Sequence, residues 1–432
     1  MNGKQIVAQM KRLRDVETIK DVRPLTAAMF PGTHCPLMGA AMAVRGIRDA
    51  MMLIIGTDEC AYYTKHMTLN SEAYGRLMGR VVSVTLDQHD VTFGCVKKVE
   101  RAMDELMDEY HPGAVFLVTT CVVEIIGDDF DATVDSLTEK YGVPVMAVHT
   151  EHFKCENHLP GLERTITACF DLMEDMPKDD SVNLLGQRMG DFADTELSRI
   201  LRGAGVRVGL QLPCGCDTGD IRKAAAAKVN IVVNDIALPL AKKMQQRFGT
   251  PYVFFDRFCD PGRIADCYRQ LFDFLGMPLP EELYAVEQGA RKAVEQGREQ
   301  LAGVTFIYGN TPMRTFEFCR FMAEMGMEPQ IIQSNAMPDE DQEDIHAILA
   351  VSDPYITKAA NIAPLQFVYD ELHPMLYLGH EYAMRLRQKG ISLVRTDEAS
   401  GMLGFEVTMY VVKQLLRSAE EARMLREGGA AS

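Results

Sequence analysis

The sequence predicts an α/β protein built from three successive units, each a parallel sheet covered by helices. Short apolar runs alternate with stretches of helical period, which is how parallel strands buried on both faces read in a sequence. Polar or charged stretches at 176–182 and 280–301 divide that pattern into thirds. Two of the apolar runs also lead into cysteines, and the loops beyond the carboxyl ends of an open α/β sheet gather at one edge.

Apolar runs at 51–55, 80–85, 114–119 and 144–148 predict the strands of the first unit. Helical periodicity fits 96–109 and 129–141, with Asp128 placed to cap the second of these. The polar stretch at 176–182 breaks the pattern, and strands at 206–212, 229–233 and 251–255 form a second unit. A charged helical linker covers 280–301. Strands at 304–308, 329–333, 375–378 and 391–395 follow, and a long helix at 405–425 closes the chain. The expected domains are 1–200, 201–300 and 301–432.

A chain of 432 residues exceeds one ordinary domain, and 47% hydrophobic with 25% charged residues is a globular composition. No 18-residue apolar stretch and no signal-like apolar core occur, so no membrane span and a cytoplasmic location are expected. A formal charge of −16 argues against nucleic acid as a partner, because polyphosphate needs a basic surface. Eleven dispersed cysteines do not read as a disulfide framework. With 27 methionines they suit a low-oxygen, anaerobic setting. There is no Gly-x-x-x-x-Gly-Lys-Ser/Thr, and Gly203-Ala-Gly205 precedes a strand instead of following one, so this chain is expected to bind no nucleotide.

Cys35 lies in Pro31-Gly-Thr-His-Cys-Pro-Leu-Met-Gly39, Cys60 in Gly56-Thr-Asp-Glu-Cys60, and Cys121 opens Cys121-Val-Val-Glu-Ile-Ile-Gly-Asp-Asp129. Converging thiolates in a protein without export features point to a metal cluster more than to a disulfide. These motifs, together with Val91-Thr-Phe-Gly94, Ile221-Arg-Lys-Ala-Ala-Ala-Ala-Lys-Val-Asn230 and Ala399-Ser-Gly-Met-Leu-Gly-Phe405, resemble the nitrogenase component 1 superfamily. That superfamily includes the molybdenum–iron protein subunits, the cofactor-assembly scaffold, dark-operative protochlorophyllide reductase and other nitrogenase-like reductases.

The resemblance implies three Rossmann-like domains. It implies an iron–sulfur cluster on Cys35, Cys60 and Cys121, bridging to a second component 1-type chain, whether the same or homologous. Three thiolates are one short of a four-cysteine set, so a P-cluster-like group and a four-iron cluster completed by the partner are both compatible. It also implies an ATP-hydrolysing iron protein that delivers electrons, with this chain acting as a reductase subunit in a complex. The alternative is an iron–sulfur cofactor-assembly scaffold that turns over no substrate, and a plain α/β binding protein is a third reading.

Weaker ligand candidates are Cys95, which replaces a family glycine and reads first as packing, and His152 and Cys155 in the His149–158 segment, otherwise a polar loop. Cys214 and Cys216 flank one glycine at a strand end, where they either pack locally or face a ligand. Asn234 and Leu403 stand where the family's cofactor-bearing subunit places Cys and His, and neither is a soft-metal ligand. No catalytic proton donor is identified.

Overall fold

The computed structural model describes residues 2–25, 34–70, 79–155, 157–188, 191–358 and 363–429. Its strands, in chain order, are β1 (Lys11–Arg12), β2 (Ala50–Gly56), β3 (Val81–Thr85), β4 (Ala114–Thr119), β5 (Val145–His149), β6 (Val182–Leu185), β7 (Val208–Leu212), β8 (Val229–Val232), β9 (Tyr252–Phe254), β10 (Thr305–Tyr308), β11 (Glu328–Gln333), β12 (Tyr355–Thr357), β13 (Leu376–Leu378) and β14 (Ser392–Val394). They form three sheets, ordered β3-β2-β4-β5, β7-β6-β8-β9 and β1-β12-β11-β10-β13-β14. Every pairing is parallel except β1 against β12. The fold is α/β with parallel sheets, as the alternating pattern predicts.

The central strands β2 and β4 are buried along their whole length, because helices cover both faces of the sheet. One face, with Met52, Ile54, Phe116 and Val118, packs into a core shared with Leu185, Leu212 and Val232 of the second sheet. The other, with Leu53, Ile55 and Leu117, packs on Val99, Met103 and Leu106 of the helix Val96–Tyr110.

Three features depart from the sequence reading. The strand β6 starts at the last residue of the stretch read as a break and lies within the 1–200 span, yet it is an inner strand of the second sheet. Its Asn183 is buried and donates Nδ2 to Asn230 Oδ1 of β8 and to the Ala224 carbonyl, each at 2.8 Å. A polar side chain in a four-residue strand hides the strand from a hydrophobicity scan, although its partner satisfies it in the core. Second, β12, absent from the sequence reading, pairs with β11 in the third sheet, and β1 joins it antiparallel at that sheet's edge. Third, Asp129, not Asp128, caps the helix Phe130–Tyr141, accepting from Ala132 N at 3.1 Å, while Asp128 accepts from Cys95 N at 2.7 Å. The charged segment forms the helix Glu281–Leu301, which packs against the final helix Phe405–Gly429, with Gly289 against Met409 and Gly297 against Val412.

Candidate functional site

Two edges of these sheets gather thiol or polar side chains, and each lies at a switch point. In the first sheet, β2 leads outward to β3 and β4 leads outward to β5, so their carboxyl ends open a crevice between diverging connections. Cys60 sits in the first turn of the helix Asp58–Asn70 after β2, and Cys121 begins the helix Cys121–Ile126 after β4. Gly56 and Thr120 let the two strand ends approach: Thr120 donates its N–H (3.1 Å) and its Oγ1 (3.0 Å) to the Ile55 carbonyl. Cys35 is the N-cap of the helix Pro36–Arg45, and the neighbouring His34 hydrogen-bonds through Nδ1 to the hydroxyl of Tyr63, one turn beyond Cys60. All three cysteines are partly exposed and all stand at helix N-termini, where the dipole favours a thiolate. The part of the Cys35 motif at 31–33 lies outside the described residues.

Burial pushes the Cys121 thiol up, and the charge of Cys60 adds to the shift, so the two sulfurs sense one another. A cationic metal centre bound between them would relieve both effects. Among the described residues, the one group of three ligand-type side chains within 4.8 Å of one another is Asp87, His89 and Asp90, and there Lys98 pairs with both acids. The three cysteines are therefore not gathered for a single ion. A multi-iron cluster separates its thiolates more widely, and the donor set of three thiols suits such a cluster.

Cys95 is buried in the core against the first sheet, and burial pushes its thiol up to about 12. His152 is exposed in a single 3-10 turn. Cys155 is half-buried, with Sγ 3.7 Å from the Thr150 carbonyl. Glu156 of the same segment lies outside the described residues. Cys216 is buried in the core and Cys214 points Sγ to the Arg188 carbonyl at 3.8 Å; neither lines a cavity described below. Leu403 is buried in the second unit's core.

The second edge is a cavity of about 430 Å³ where the carboxyl ends of β8 and β9 meet those of β10 and β11. In the second sheet, β6 and β8 are again neighbours whose connections diverge, and the segments after them supply Arg188, Asn234 and Asp235. Asn234 caps the turn that follows, accepting from Ile236 N at 3.3 Å. Arg314 and Gln333 come from the third unit, and His158 from the loop that starts the helix Leu159–Ala168. Burial, then the charges of Arg188 and His34, lowers the His158 pKa to about 4, so the imidazole is neutral at physiological pH. His158 thus stands between the cavity and the His34–Cys35 loop. Sequence reasoning missed Arg188, Arg314 and Gln333, because no short motif contains them.

No helix is long and apolar enough to cross a membrane among the described residues. The family model for nitrogenase component 1 type oxidoreductases matches residues 35–417. The nitrogenase iron-molybdenum cofactor biosynthesis protein NifE of Rippkaea orientalis is 26% identical over 357 residues, 80% of this chain and 75% of that one. The protein of the same name from Clostridium pasteurianum is 27% identical, covering 73% of this chain and 71% of its own. The nitrogenase molybdenum-iron protein alpha chain of Methanosarcina barkeri is 25% identical over 68% of this chain and 58% of its own. A solved structure described as nitrogenase Cp1 at pH 6.5 superposes with a TM-score of 0.76 at 15% identity, over 92% of this chain and 94% of the other, and so shares the fold. From residue 35 to residue 417 one family model describes this sequence, and the chain belongs to the nitrogenase component 1 type oxidoreductase family.

Proposed function

We propose that this chain is a subunit of an iron–sulfur cofactor-assembly scaffold, holding a cluster on Cys35, Cys60 and Cys121 at an interface with a second component 1-type chain. The observation that carries the reading is the placement of three thiols on helix N-termini around one switch point, with Cys60 and Cys121 electrostatically coupled. The cofactor-biosynthesis relatives support assembly over turnover. A partner fits because three thiolates leave a cluster incomplete, and because large apolar side chains stand exposed: Tyr62 and Ile125 on the helices of Cys60 and Cys121, and Phe93 and Phe153 on the helix Gln88–Phe93 and the turn His152–Lys154. When bound, a cluster supplies reversible electron storage. The chain's own residues fix the thiols, keep the strand ends together through Thr120, and bury one side of the site. A cytoplasmic, low-oxygen setting is consistent with the free thiols.

The test is the iron and acid-labile sulfide content of anaerobically purified protein. Replacing Cys60 or Cys121 by Ala should remove most of both, while Cys319→Ala, a fully buried thiol of the third unit, should leave them intact. Iron-free wild-type protein that is folded and functional would refute the proposal.

A second reading is a reductase subunit fed by an ATP-hydrolysing iron protein. It is favoured by the cavity, which contains no thiol and adjoins the Cys35 loop through His158. Cluster transfer to an apo acceptor protein supports the scaffold, whereas ATP-dependent consumption of a substrate with an iron protein supports the reductase.

A further inference from the structure

We propose that Asp131, His149, Thr119 and Glu124 form a proton path from solvent to the edge of the cysteine site, on which Glu124 takes up one proton for each electron stored there. The path rests on the cluster reading above, and its test separates the two. Thr119 ends β4, and Glu124 stands one turn after Cys121 on the helix Cys121–Ile126 that follows. His149 ends the neighbouring strand β5, in parallel register with Thr119, so the two side chains leave the same face of the sheet. Asp131 lies in the first turn of the helix Phe130–Tyr141.

The four side chains stand in a row. The Asp131 side chain is 77% exposed, and its Oδ1 lies 3.0 Å from His149 Nε2. His149 Nδ1 lies 3.5 Å from Thr119 Oγ1, the longest step of the row. Thr119 is buried and donates its hydroxyl to Glu124 Oε1 at 2.7 Å. That hydroxyl has one proton to give, so its oxygen is left to accept from Nδ1–H. At the inner end, Glu124 Oε2 is buried and makes no hydrogen bond. The row therefore runs from a solvated carboxylate to a buried carboxylate oxygen that is free to take a proton.

The surrounding charges single out Glu124. A pocket of about 230 Å³ opens beside the row, and Glu124, Asp128 and Glu151 are its carboxylates. Glu151 pairs with Lys154 and with Arg164, and the Lys154 hydrogen bond, helped by Arg164, holds its carboxyl below the usual range. Asp128 accepts from Cys95 N. Arg164 also donates to the His149 and Thr150 carbonyls at 2.9 Å, which fixes the end of β5. On the helix Gln88–Phe93, packed against the Cys121 helix, Asp90 is paired with Lys98 and His89 lies against Phe93. Burial first, and then the charges of Cys60 and Glu124, push the Cys121 thiol up. Burial pushes the Cys155 thiol up as well, with Arg164 opposing and Glu151 and Glu124 adding. The Glu124 charge is thus felt at Cys121, and a proton on Glu124 offsets negative charge added at that edge.

A low-potential one-electron reductant supplies the electron, and solvent supplies the proton. Asp131 passes a proton to His149 Nε2. The Nδ1–H bond breaks as an O–H bond forms on Thr119, and the Thr119 hydroxyl proton moves to Glu124 Oε1. The net change is one proton gained by Glu124 for one electron stored at the cysteine edge, and oxidation runs the row in reverse.

The experiment is a redox titration of the anaerobic, iron-loaded full chain, followed by electron paramagnetic resonance at pH 6, 7 and 8, with iron content measured first. The midpoint potential should fall as pH rises, with a slope approaching one proton per electron. Glu124→Gln keeps the acceptor for Thr119 and cannot ionise, so it should keep its iron and lose the slope. His149→Phe interrupts the row and leaves Glu124 in place. It should keep the slope but slow proton uptake after rapid reduction at least tenfold, read with a pH indicator, and imidazole in the medium should restore the rate. In iron-loaded protein, a potential that ignores pH, or an unchanged slope in Glu124→Gln, would overturn the inference and leave the cluster reading standing. An unchanged uptake rate in His149→Phe would overturn the path. Iron-free wild-type protein would overturn the cluster reading and the inference with it.

Discussion

Glu317 gives the sharpest test of how the second and third units are joined. It lies on the helix Thr315–Glu324, is 1% exposed, and accepts through Oε1 from the backbone N–H groups of Cys259 (2.8 Å) and Asp260 (3.0 Å) in the second unit. Its Oε2 has no partner. Burial pushes its pKa from 4.5 up to about 8; the two backbone donors and Arg263 oppose the shift, and Asp344 adds to it. Cys259 and Cys319, the other titratable groups beside it, are buried thiols held protonated.

The sign follows from linkage. A carboxyl with a raised folded pKa binds its proton more tightly in the native state. Its contribution is fully present below 4.5 and is lost as pH rises toward 8. Between pH 6 and 8 the loss is about 2 kcal/mol, taking ~1.36 kcal/mol per unit. A chain of this length has an unfolding entropy of roughly 0.9 kcal/mol/K, so the loss corresponds to about 2–3 °C in Tm. Glu317→Gln keeps the acceptor for both N–H groups and cannot ionise. Scanning fluorimetry at pH 6, 7 and 8 should show the wild-type Tm falling relative to the variant by that amount. Parallel pH profiles for the two proteins would refute the reasoning.

Further expectations follow from single contacts. A methyl added at Gly56 would stand 2.8 Å from Thr120 Cγ2, so Gly56→Ala should spread the ends of β2 and β4, cost about 1–3 kcal/mol and lower iron content, measured by melting and metal analysis. Cys95→Ala should cost about 1 kcal/mol in denaturant unfolding while leaving iron content unchanged, because that thiol is packed in the core. Light scattering under anaerobic conditions should find the iron-loaded chain at least dimeric, and an iron-loaded monomer would contradict a shared cluster.

The alternating apolar runs of the first sheet were legible in the sequence because strands buried on both faces have little freedom in composition: β2 and β4 are continuous hydrophobic stretches ended by Gly56 and Thr120. Their length and period determined the parallel sheet, and the cysteine motifs at their ends determined the family. What the sequence hid was local polarity satisfied at a distance. The strand β6 carries Asn183, which is at home in a core only because Asn230 lies on the neighbouring strand. The cavity between the second and third units draws Arg188 from one segment and Arg314 and Gln333 from another more than a hundred residues further on, so no local pattern announces it. Periodicity records which face of an element is buried. Strand order alone decides which loops meet, and the two candidate sites exist because that order places diverging connections at β2/β4 and β6/β8.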